Sequence, residues 1–135
     1  MKRNLFLLIP ALAMVFFLSS CSKDDTTTTT STPEGTWAGT GQYGTTAGSP
    51  TYAFRLTFKS NGTIDIVGNN NAAIDNATGQ WQVVQDSVKA TYIYVSATAQ
   101  YTLSGKFSAG SNVMVGTIGL TPNTTGVGLF SVTKQ

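Results

Sequence analysis

The chain has 135 residues, no histidine, one cysteine and a formal charge of +2 at pH 7. Without histidine there is no His-based nucleophilic triad and no His-ligated zinc site, and a lone thiol forms no disulfide within the chain. The +2 comes from Lys2 and Arg3; residues 21–135 hold six basic and six acidic side chains and are neutral, so the basic footprint of a nucleic-acid binder is missing.

In chain order, Met1-Lys2-Arg3 is a short basic start, and Leu5 to Leu18 is a 14-residue apolar run containing Pro10. A membrane-spanning helix takes about 20 apolar residues, so the run predicts a cleavable secretory signal over residues 1–20 rather than a transmembrane anchor. Leu18-Ser19-Ser20-Cys21 follows: an aliphatic residue, two small ones and a cysteine. This resembles the lipobox of bacterial lipoproteins, and the resemblance implies that Cys21 is lipidated and that the membrane is a partner through that lipid. A single acyl chain binds a bilayer only marginally, so such anchors carry several. Ser22-Lys23-Asp24-Asp25 resembles the surface-export signal of Bacteroidetes lipoproteins, which implies a cell-envelope protein, anchored to the outer membrane and facing outward. Thr26 to Thr30, with Ser31, Thr32 and Pro33, complete a polar tether over residues 21–33. Fully extended at roughly 3.3 Å per residue, Ser22 to Pro33 spans up to about 40 Å.

Residues 34–135 form the expected domain. No helical period is found; apolar and polar residues alternate, as in strands with one wet face. Tyr52, Phe54, Leu56 and Phe58 fall on one side, with Arg55, Thr57 and Lys59 on the other. Ile64 and Ile66 alternate with Thr63 and Asp65, Trp81 and Val83 with Gln80 and Gln82, and Tyr101, Leu103 and Phe107 with Thr102, Ser104 and Lys106. Strand 88–96 turns Val88, Ala90, Tyr92 and Tyr94 one way, and the equally apolar Ile93 and Val95 the other. Turns are expected at Ser60-Asn61-Gly62-Thr63, Asp86-Ser87, Ala109-Gly110-Ser111 and Thr121-Pro122-Asn123. Eight strands result: 36–43, 51–59, 63–68, 77–84, 88–96, 99–107, 112–120 and 126–133. Links this short suit hairpins, so the predicted fold is all-β, an eight-stranded antiparallel up-and-down barrel; a two-sheet sandwich is the alternative.

Gly35-Thr36-Trp37 opens the first strand, Phe58 to Thr63 makes the second hairpin, Gly79-Gln80-Trp81 opens a middle strand, and Gly126-Val127-Gly128-Leu129-Phe130 lies near the C-terminus. Together these resemble the small lipocalin-like (calycin) domains of Bacteroidetes lipoproteins. The resemblance implies that Trp37 closes the bottom of the barrel.

Chemistry is sparse. The domain has four carboxylates, Glu34, Asp65, Asp75 and Asp86, with Asp65 on a polar strand face and Asp86 in a turn, so no catalytic pair is expected. The Asn-rich loop from Gly68 to Asp75 matches no EF-hand spacing. No enzyme activity, metal or cofactor is predicted. The aromatic residues are the remaining signal: Trp37, Tyr52, Phe54, Trp81, Tyr92 and Tyr101 are the candidate lining of a pocket for a small apolar ligand. The competing expectation is a protein-binding module, such as a barrel-type protease inhibitor or an accessory subunit of a surface complex, docking through the apolar patch of Ile93 and Val95.

Overall fold

The computed structural model describes residues 32–108 and 110–135; the signal run, Cys21 and the tether through Ser31 lie outside the described residues. Eight strands follow one another: β1 (Gly35–Tyr43), β2 (Thr51–Phe58), β3 (Thr63–Gly68), β4 (Asn76–Val84), β5 (Ser87–Tyr94), β6 (Gln100–Phe107), β7 (Val113–Leu120) and β8 (Gly126–Lys134). Each pairs antiparallel with the next, and β1 pairs with β8, so the sheet closes into an up-and-down barrel rather than splitting into a sandwich. Trp37 stands opposite Leu56 on one side and Lys134 on the other, and Tyr43 opposite Gly128. Closure satisfies the backbone donors and acceptors that an open sheet leaves on its edge strands.

The period-2 pattern carries through to the core. Trp37, Phe54, Leu56, Phe58, Ile64, Ile66, Val88, Leu103, Met114, Phe130 and Val132 point inward and are buried. Side chains fill the interior of a barrel this small. The β2–β3 hairpin turns at Asn61-Gly62 as expected. Gly62 takes φ +81°, and the Asn61 carboxamide oxygen accepts from the Thr63 amide and hydroxyl at 3.1 and 2.7 Å. Two details differ from expectation. Gly79-Gln80-Trp81 lies inside β4, which opens earlier at Asn76. The β4–β5 turn uses Gln85 and Asp86, with Gln85 at φ +59°, while Ser87 already belongs to β5 and faces Val84. Glutamine carries no turn signature, so the left-handed residue went unread.

Up-and-down order gives the barrel two unlike ends. The floor carries the β2–β3, β4–β5 and β6–β7 turns and both ends of the described chain. Trp37 closes it: the indole is buried, and its Nε1 donates to the Pro33 carbonyl at 2.7 Å. Pro33, expected as the last tether residue, is itself fully buried there. Lys134 lies over the Trp37 ring and donates to the Thr32 carbonyl at 3.1 Å, and the Gln135 amide bonds the Thr36 carbonyl. The opposite end, the mouth, carries the loops after β1, β3, β5 and β7.

Candidate functional site

All five tyrosines of the chain converge on the mouth. Tyr43 ends β1 and Tyr52 lies at the start of β2; Tyr92 and Tyr94 close β5 and Tyr101 lies at the start of β6. In a ring of eight strands β1–β2 stands across from β5–β6, so the tyrosines form two facing walls. Tyr43 and Tyr52 pack at 4.4 Å between ring centroids, and Tyr52 meets Phe54 edge-on. On the other wall Tyr92 and Tyr101 stack at 5.7 Å, and Tyr94 stands perpendicular to both. Between the walls is a pocket of about 190 Å³, completed by Gln42, Asp75, Ile118, Val127 and Gly128. Its base is filled: Phe54 packs on Phe130, and Ile66 is fully buried.

Two glycines make room for this arrangement. Gly41 pairs with Tyr52 across the strands, and a Cβ at Gly41 would run into the Tyr52 ring. Gly68 leaves space for the Asp75 carboxylate, which a Cβ there would meet. The β3–β4 loop bends through Asn69 and Asn70, both left-handed at φ +50° and +53°, a conformation asparagine tolerates better than most residues. That bend lets Asn69 Nδ2 donate to Asp75 Oδ2 at 2.7 Å, which fixes the carboxylate on the rim.

The electrostatics of the mouth are one-sided. Among the described residues, Asp75 is the one charged side chain that lines it. Burial, with neighbouring phenols and Asp75 adding to it, pushes the Tyr52 pKa upward; the same causes push Tyr94 up to about 12. Burial raises Tyr92 further. The Tyr92 hydroxyl is buried beside that of Tyr94, which adds to the rise, but has no partner at full hydrogen-bond geometry among the described residues; the other such atom, Asn76 Oδ1, lies at the same end where β4 begins. A buried, unpaired hydroxyl costs about 1–3 kcal/mol relative to a satisfied one, so this end of the barrel is not optimised for stability alone.

The six predicted pocket residues separate. Tyr52, Tyr92 and Tyr101 line the mouth; Phe54 supports it from below; Trp37 seals the floor. Trp81 is also at the floor end, edge-on to Phe58, with Nε1 donating to the Lys59 carbonyl at 3.0 Å. Tyr43, Tyr94 and Asp75 join the site without having been predicted. Tyr43 was legible, since it shares the inward parity of Trp37, Gly39 and Gly41; Asp75 was not, since only the loop's fold brings it to the rim. A larger groove of about 310 Å³ runs past Gln80, Trp81, Gln82, Lys89 and Thr91, but it is more open than the mouth pocket and gathers one aromatic ring where the mouth gathers five. The aspartates stand apart: Asp65 pairs with Lys59 at 2.6 Å outside the barrel near the β2–β3 turn, Asp86 sits in the β4–β5 turn near Lys106, and Asp75 is at the mouth. Ile93 and Val95, facing outward from and just beyond β5, are 43 and 63% exposed. In comparisons with known proteins, the chain matches no family model and no curated sequence.

Proposed function

We propose that this protein is a lipoprotein, held to the outer membrane by lipid on Cys21 and facing outward, whose non-catalytic barrel carries a small ligand with an apolar body in its mouth. The observation that carries the reading is the gathering of every tyrosine on two facing walls around a pocket. Aromatic walls with a few polar groups are the usual make-up of small-molecule sites. The pocket's size narrows the ligand. Sites for drug-sized molecules run to about 300–1,000 Å³, so about 190 Å³ suits one ring or the end of a longer molecule. Beneath it Phe54, Ile66 and Phe130 are packed into the core, which favours a short ligand over a long acyl chain.

Native mass spectrometry of the chain, purified gently from the cells that make it, should find a retained small molecule that a Tyr52→Ala, Tyr101→Ala double variant loses. Repeated recovery of bare wild-type protein speaks against a carrier. For the anchor, an alkyne fatty acid fed to cells should label wild type and not Cys21→Ala; label surviving in the variant removes the lipobox assignment.

A second reading, a protein-binding module such as an inhibitor or accessory subunit, is favoured by one observation, the exposure of Ile93 and Val95. An Ile93→Lys, Val95→Lys variant that loses a co-purifying protein while keeping any mouth ligand would support it.

A further inference from the structure

The mouth pocket has a charge pattern that its shape alone does not require. Five cationic side chains are described: Lys59, Lys106 and Lys134 sit at the floor, while Arg55 and Lys89 project from the outer wall. None lines the mouth, whose single formal charge is the Asp75 carboxylate, held at the rim by Asn69. Around it stand five phenol rings, whose π faces carry partial negative charge and attract a cation within about 6 Å. The upward displacement of Tyr52 and Tyr94, due first to burial and then in part to Asp75, places the carboxylate's field on both walls. Tyr92 backs one wall, its ring packed against those of Tyr94 and Tyr101 and its hydroxyl buried.

We propose that the mouth binds a small organic ammonium ion, a protonated primary or secondary amine. Its apolar body lies between the two tyrosine walls, and its N–H groups bond to the Asp75 carboxylate. The inference rests on the reading of the mouth as a ligand site and adds the ligand's charge. An anion meets the Asp75 carboxylate with no lysine or arginine to offset it. A neutral ring of equal size gains the stacking but not the charge, and the pocket's volume limits the body to about one ring.

The test uses one skeleton in three charge states: benzylamine, benzyl alcohol and benzoate, titrated into the full chain at neutral pH. Binding is read from amide shifts of Gln42, Asp75 and Gly128. Benzylamine should bind about tenfold or more tightly than benzyl alcohol, and benzoate should not bind. Asp75→Asn, a near-isosteric change, should bring amine and alcohol within about twofold of each other, and added salt should narrow the wild-type gap. Alcohol binding as well as the amine, or a preference untouched by Asp75→Asn, overturns the ammonium assignment and leaves the ligand site standing. If none of the three perturbs the mouth while the amide spectrum remains that of a folded barrel, both readings fall.

Discussion

The two ends of the barrel use aromatic side chains in opposite ways. At the floor both tryptophans of the chain are anchored: Trp37 donates to the Pro33 carbonyl and Trp81 to that of Lys59. At the mouth the tyrosines leave their polar tips largely unclaimed; among the described residues Tyr92 has no partner at full hydrogen-bond geometry, and Tyr43 accepts a long 3.4 Å bond from Asn69. Large aromatic side chains stabilise a fold by burying area, provided their polar atoms are satisfied. The floor meets that condition and the mouth does not. Where an aromatic cluster is incompletely satisfied, binding rather than packing is the better account of its composition.

The comparison can be broken most forcefully at the floor. Trp37→Ala removes a buried indole, its hydrogen bond and the cover over the core, and should cost about 3–5 kcal/mol in urea unfolding. A loss under about 1 kcal/mol would mean that the floor is no structural seal. Next is alkaline pH. Tyr94 is raised to about 12 from 10.0, and Tyr52 and Tyr92 are raised as well, so above pH 10 the folded state holds protons that the unfolded state has released. Their stabilising contribution is therefore complete below pH 10 and is lost as pH climbs toward 12 and beyond. Phenolate absorbance from these three rings should rise together with loss of β-sheet circular dichroism. Ionisation of all three near pH 10 in an intact fold would show the mouth to be wet. The smallest effect is Tyr92→Phe, which deletes the unpaired hydroxyl and keeps the ring. It should raise stability by about 1 kcal/mol. Lower stability would mean that the hydroxyl has a partner in solution.

Most of the fold was legible in the sequence, because a strand's inward face is written in alternate residues. Tyr52, Phe54, Leu56 and Phe58 were assigned to one face, and they line the interior. The strand limits fell within two residues of those observed, and short links between strands pointed to closure. The site was half legible. Alternation says which side of the sheet a residue faces but not its height along the barrel axis, so Trp37 and Tyr52 looked equivalent although they stand at opposite ends. Strand direction supplies the missing coordinate. Tyr43 and Tyr52 flank the loop after β1, and Tyr94 and Tyr101 flank the loop after β5, all at the mouth in an up-and-down barrel. Asp75 and the left-handed Gln85 stayed hidden because their positions depend on loop geometry that leaves no periodic trace.

The sealing of both ends of the described chain into one pole has a consequence for how the molecule can be mounted. An even number of up-and-down passes returns the chain to the side from which it set out, and Thr32, Pro33, Lys134 and Gln135 are knitted together there. Whatever is attached upstream or downstream, whether a leash, a surface or a fused domain, grips the barrel by its base and points the tyrosine rim the other way. Parity alone thus gives the barrel a handle and a working face, and immobilising it by either terminus should leave the rim open to titration.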